Sequence, residues 1–142
     1  MSAVQQLALS SGRYPEALPS QVLFSTPGTY SWTVPNGVYS VSVVCVGGGG
    51  TVRFNRGAGG GGLGYKNNIQ TYPGQEITIV VGAGGNSANP GGDSYFNSLS
   101  IVSGKGGGGN TSQAIGGSFT GDGGGNGGGS AMGDNSTAGA GA

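Results

Sequence analysis

The sequence predicts an all-β protein, a small antiparallel β-sandwich or sheet whose glycine-rich loops pack as polyglycine-II helices. Three observations lead there. Apolar and polar residues alternate with period two through Tyr30-Ser31-Trp32-Thr33-Val34, the pattern of a half-buried strand. Turn-forming pairs at Pro27-Gly28, Asn36-Gly37 and Pro73-Gly74 punctuate the apolar runs, as strand boundaries do. Finally, 36 of the 142 residues are glycine, all but three of them after Val46, where an ordinary chain holds roughly 7%.

Taken in order, residues 1–20 read as an extended arm. Val4, Leu7, Leu9, Tyr14 and Leu18 stand among polar residues, and Pro15 and Pro19 limit any helix to a turn or two. Leu7, Leu9, Tyr14 and Leu18 are therefore the candidate assembly residues, a docking segment for a partner protein or neighbouring subunit. A short VLF run and the turn at Thr26-Pro27-Gly28 lead into the Tyr30-Trp32-Val34 strand. Asn36-Gly37 predicts a hairpin from there into a strand over 38–46. Tyr39, Val41, Val43 and Cys45 share one face of it, while Val44 and Val46 make its end apolar on both faces, so that end is expected inside the sheet. Beyond a glycine insertion over 47–64, strands are expected over 65–72 and 75–81 around Pro73-Gly74, with Ile77, Ile79 and Val81 inward. One last strand is expected over 94–102, with Tyr95, Leu99 and Ile101 on one side. The chain then divides into an arm (1–20), a glycine-rich β domain (21–103) and a glycine-rich tail (104–142).

Glycine at this density has three physical meanings. Collagen is excluded, because it needs strict Gly-X-Y and much proline, and the chain has 6 prolines. Disordered chains carry high charge and few aromatic or β-branched residues, whereas charged residues here are 7% and valine-rich runs recur between the glycine runs. Ordered packing is therefore favoured over a disordered tail. A polyproline-II-type helix has three residues per turn, and glycine recurs every third residue at Gly121, Gly124 and Gly127, and at Gly82, Gly85 and Gly91 with Ala88 in the gap. Such spacing bares one edge of a segment for main-chain N–H···O and Cα–H···O contact.

The same inventory narrows the chemistry. Histidine is absent, which removes the commonest general base and transition-metal ligand. Glu16, Glu76, Asp93, Asp122 and Asp134 are dispersed, with no spacing that argues for a catalytic carboxylate pair. No enzyme, cofactor or metal site is expected. Gly57 to Gly62 fits GxGxxG only formally, without the strand and helix that make it a nucleotide site, and Lys105 lacks the rest of a P-loop. The lone Cys45 reads as a small apolar side chain. Net charge is zero with Arg13, Arg53, Arg56, Lys66 and Lys105 scattered, so no basic face is expected for nucleic acid. No run approaches the roughly 18 apolar residues of a membrane span, and residues 1–20 lack the features of a signal peptide. The candidate binding residues are those that interrupt glycine runs in loops: Arg53, Phe54 and Arg56, Asn86 and Asn89, Ile115 and Phe119. Arginine and aromatic groups there offer planar hydrogen bonding and stacking to sugars or protein loops.

The series FSTPGTYSWTVPNGVYSVSVVCVGGGG, GGGGLGYKNNIQTYPGQEITIVVGAGG and GGDSYFNSLSIVSGKGGGG resembles the glycine-rich domain of bacteriophage tail-fibre and receptor-binding proteins. It is also similar to the glycine-rich regions of tail-fibre adhesins of T-even-like phages. The resemblance spans about residues 22–109 and implies a polyglycine-II bundle with variable loops at its tip. It further implies a non-enzymatic virion protein, a tail-fibre or fibre-tip subunit that forms a homo-oligomer, a trimer being one arrangement. Its partners would be other virion proteins and a host-surface glycan or outer-membrane protein. A capsid decoration or head-fibre protein would share these features, and an ice-binding polyglycine protein would differ in needing a flat threonine-bearing face.

Overall fold

The computed structural model describes residues 20–52, 57–109 and 114–130, and these form two antiparallel sheets with no helix among them. In chain order the strands are β1 (Gly28–Thr33), β2 (Ser40–Val46), β3 (Leu63–Gln70), β4 (Glu76–Val81), β5 (Ser94–Phe96), β6 (Val102–Gly104), β7 (Phe119–Thr120) and β8 (Gly123–Gly125). One sheet runs β1-β4-β5-β6-β7 and the other β2-β3-β8. β2 lies over β5 and β6, and β3 over β6 and β7. The all-β expectation holds.

The turns work differently from the hairpins expected. β1 pairs with β4 and β2 with β3, so Asn36-Gly37 and Pro73-Gly74 each carry the chain from one sheet to the other. Gly37 and Gly74 take φ of 84° and 83°, a left-handed conformation that glycine adopts without cost. The two corners clasp each other, Gly74 N–H donating to the Val34 carbonyl at 2.9 Å and Val34 N–H to the Gln75 carbonyl at 2.9 Å. Val34 becomes fully buried, so the end of the first strand is fixed by the corner and not by a β1–β2 hairpin.

Between the sheets Val34, Cys45, Ile77, Phe96 and Val102 form the core, with Trp32, Val38, Val41, Val43, Ile69, Ile79 and Ile101 packed around it. Alternation along β2 and β4 sends Val41, Val43 and Cys45, and Ile77, Ile79 and Val81, inward as expected. Two expectations fail. The single strand over 94–102 is a tight β5–β6 hairpin, because Asn97 sits at φ 62° and the Ser98 hydroxyl accepts the Ser100 N–H at 3.2 Å, both turn chemistry. Its buried face carries Ser94 and Phe96 and leaves Leu99 exposed. Second, Val44 and Val46 lie 64% and 46% exposed, so the far end of β2 stays at the surface.

Cys45 shows how closed the core is. Burial pushes its thiol pKa up to about 11, against a weaker pull from the Phe96 backbone N–H. The reactive thiolate is scarce at neutral pH. Native protein is therefore expected to resist a disulfide-exchange reagent at neutral pH and to react fully once denaturant is added, read as thiol release; prompt native reaction would contradict this packing.

Where β3 meets β8, Asp122 accepts Lys66 Nζ at 2.8 Å and the Asn67 N–H at 2.9 Å, and these bonds hold its carboxyl below the ordinary range. A depressed native pKa means that its contribution is fully present above the unfolded value of about 3.9 and lost as pH falls through the native value. Asp122→Asn is expected to cause a small drop in melting temperature at neutral pH that vanishes in strong acid. A difference that grows on acidification would refute the assignment.

Candidate functional site

Between and beyond the strands run seven extended segments among the described residues, here called rods: rod 1 (47–51), rod 2 (57–62), rod 3 (82–86), rod 4 (89–93), rod 5 (105–109), rod 6 (114–118) and rod 7 (126–130). Each begins or ends at a strand, so all seven are rooted on one end of the sandwich. They are joined by main-chain hydrogen bonds that repeat every three residues. At the roots Gly47 N–H donates to Gly62, Gly62 to Lys105 and Lys105 to Ser118, each at 2.8 Å. Three residues further out Gly50 donates to Gly59 at 2.9 Å, Gly59 to Gly108 at 2.9 Å and Gly108 to Ile115 at 2.8 Å. A three-residue repeat between extended segments is polyglycine-II geometry.

The packing explains which residues must be glycine. A Cβ added at Gly47, Gly50, Gly59, Gly61, Gly106, Gly107, Gly117 or Gly127 would overlap a neighbouring carbonyl. The hydrogen that stands in its place points at that oxygen, a Cα–H···O contact. Rods 1, 2 and 5 bond to one another and to the rods around them, and they carry the GGGG, GAGGGG and GGGG runs, in which Ala58 is the one side chain. The perimeter rods admit side chains: Ala83 and Asn86, Asn89 and Pro90, Ile115 and Ser118, Asn126 and Ser130. The period-three reading holds for Gly82, Gly85, Gly91 and Gly127, each tight against backbone, whereas Ala88 lies in a turn and Gly124 belongs to β8.

With about 3.1 Å of rise per residue, five-residue rods lift their far ends about 15 Å from the sheets. Val52, the turn over 86–89 and Gly109 stand at that raised end. Asn86 and Asn89 are exposed there, in a turn closed by Asn89 N–H to the Asn86 carbonyl at 2.9 Å and Asn89 Nδ2 to Asn86 Oδ1 at 3.3 Å. Ser87 and Ala88 hold φ of 47° and 77°, a costly conformation for non-glycine residues. Thr51 secures it: its N–H donates to the Asn89 carbonyl at 3.1 Å and its hydroxyl accepts the Ala88 N–H at 3.2 Å. On the far side Ala114 N–H donates to Ser130 Oγ at 3.0 Å and Ser130 N–H to the Ala114 carbonyl at 2.8 Å. Beside this buried pair Ile115 projects at 77% exposure.

Of the binding residues read from the sequence, Asn86, Asn89 and Ile115 gather at or next to the raised end. Phe119 does not. It begins β7 at the rods' roots, half-buried, with its ring against Gly124 and its Cβ beside Gly64, so it packs the sandwich. Arg53, Phe54 and Arg56, and Leu7, Leu9, Tyr14 and Leu18, lie outside the described residues. The supports Thr51, Ala114 and Ser130 escape sequence reasoning, their only signal being that each stands at the end of a glycine-rich run. At the roots Asp93 accepts Lys105 Nζ at 3.0 Å and the Gly106 N–H at 2.8 Å, tying rod 4 to rod 5. No cluster of three or more metal-ligating side chains occurs among the described residues. The raised end can thus offer main-chain amides, carboxamides and an apolar side chain on a rigid support, which suits recognition of a surface.

The family model described as a glycine-rich domain matches residues 25–142. No curated protein and no solved structure matches the chain.

Proposed function

Because the chain belongs to the glycine-rich domain family, and because its strand and glycine series resembles that of phage tail fibres, we propose that it is a non-enzymatic virion protein. In this reading it is a tail-fibre or fibre-tip subunit that presents its raised loops to a host surface. The observation that carries the reading is the rod lattice, a stiff pedestal that roots in the sandwich and leaves Asn86, Asn89 and Ile115 exposed at or next to its raised end. Main-chain packing fixes the pedestal, while the exposed Asn86, Asn89 and Ile115 side chains are presented to a glycan or an outer-membrane protein. Zero net charge suits a subunit within a larger assembly, where colloidal repulsion is not needed.

Immunogold labelling of intact particles with an antibody against this chain tests the placement. Gold at the fibre ends is the expected result; gold on the head, or none on particles, overturns it. The contact itself is tested with Asn86→Ala, Asn89→Ala and Ile115→Ser combined. The triple variant should keep the parent melting temperature within a few degrees, since surface changes are usually worth about ±0.5 kcal/mol each, yet lose most adsorption to host cells.

A further inference from the structure

The two sheets are unequal. Three strands face five, and the inner surface of β1 and β4 has no strand above it among the described residues. Among the described residues no strand pairs with the edge of β2 away from β3. A groove of about 1090 Å³ runs there, floored by Trp32, Ile79 and Val81, with β2 as one wall and residues 20–25 as the other. Gly47 N–H turns toward Gly62 on the β3 side, so alternation aims the amides of Val44 and Val46 into the groove. Val22 and Leu23 on the opposite wall are 56% and 76% exposed. No lining residue carries a charge, and β2 has none of the lysines, prolines or bulky charges that natural edge strands use to deter pairing.

We propose that residues 6–10 of the same chain, Gln6-Leu7-Ala8-Leu9-Ser10, add to β2 as the missing fourth strand. Four features converge on this occupant. The wall of the groove begins at Ser20, which puts the point where residues 1–19 join the described chain at its lip. Their pattern matches the vacancy: Leu7 and Leu9 alternate with Gln6, Ala8 and Ser10, as Val41, Val43 and Cys45 on β2 alternate with Ser40 and Ser42. Leu7 and Leu9 then meet Trp32 and Ile79 while Gln6, Ala8 and Ser10 face out. No charged side chain occurs before Arg13, as a charge-free groove requires. The nine residues from Ser11 to Pro19 span up to about 30 Å extended, more than the roughly 23 Å length of β2, and Pro15 and Pro19 suit a reversal. A tether this short holds its segment at an effective concentration near millimolar, which favours the chain's own strand over a neighbour's.

Residue-resolved amide exchange on the full chain tests the proposal. The Val44 and Val46 amides should be protected, and Leu7→Asp with Leu9→Asp should raise their exchange by about tenfold or more while the Thr78 and Val80 amides, on the neighbouring sheet, keep their rates. Leu7→Val with Leu9→Val should retain protection, which separates strand addition from general loss of folding. Fast exchange at Val44 and Val46 in the parent chain, or the same protection in the aspartate variant, overturns it. Protection that rises with protein concentration alongside dimer formation also overturns it, because the strand would then come from a second copy.

Discussion

Alanine in place of Gly61 or Gly107 is expected to collapse the rod lattice. At each position the new Cβ would overlap a carbonyl of the adjoining rod, Gly47 for Gly61 and Gly59 for Gly107. Those carbonyls are main chain, so no flexible side chain can swing aside, and the loss should sit at or beyond the upper end of the roughly 1–3 kcal/mol typical of overpacking. Gly49→Ala and Gly84→Ala are the controls. Their nearest atoms lie at 3.9 and 4.0 Å and neither needs positive φ, so alanine there is expected to be neutral or to stabilise by up to about 1 kcal/mol through the unfolded chain. Urea midpoints decide between them. Equal losses at Gly49 and Gly61 would mean that glycine is needed for something other than close approach.

Phe96→Ala is expected to cost about 3–5 kcal/mol, the usual range for truncating a buried aromatic. Phe96 is only 3% exposed, pairs with Ile79 on one side and Val102 on the other, and packs against Trp32 with ring centroids 6.3 Å apart. Small domains hold only about 5–15 kcal/mol in total, so most of the stability would go. Trp32 is the single tryptophan, which makes intrinsic fluorescence the direct readout: a lower melting temperature and a red shift. Tyr72→Ala, at a 63% exposed position, should change stability by no more than about 0.5 kcal/mol. Because every rod is rooted on a strand, losing the core should also release the lattice, and both should melt in one transition.

Much of this was legible in the residues because it depends on local rules. Period-two alternation located β1, β2 and β4, and Ile77 and Cys45 point inward as that alternation requires. The dense glycine runs marked the central rods, since a rod surrounded by others leaves room for a Cβ at few positions, such as Ala58 and Gly49. What could not be read was non-local. Asn36-Gly37 has hairpin chemistry, but pairing is decided by which strand buries Val34, and that choice sends β2 into the other sheet. The β5–β6 hairpin hid inside Ser94 to Val102 because its turn residues Asn97 and Ser98 stand among Tyr95, Phe96, Leu99 and Ile101 without the glycine or proline that marks the other turns. At the raised end Asn86 and Asn89 stood out as breaks in a glycine run. Thr51, their anchor, is 38 residues from Asn89 in sequence, and Phe119 drew attention as an aromatic in a glycine tail although it serves the sandwich. Exposed Val44 and Val46 departed from the expected burial of the end of β2, because three strands do not cover the five-stranded sheet.

A lattice held chiefly by backbone atoms has little side-chain code to keep in step. An outgoing glycine run, a loop and a returning run could therefore be spliced onto its perimeter as a unit, the way a honeycomb takes on another cell. The breadth of the exposed crown would then be adjustable by duplication, and its loops could be rewritten by mutation without disturbing the comb that carries them.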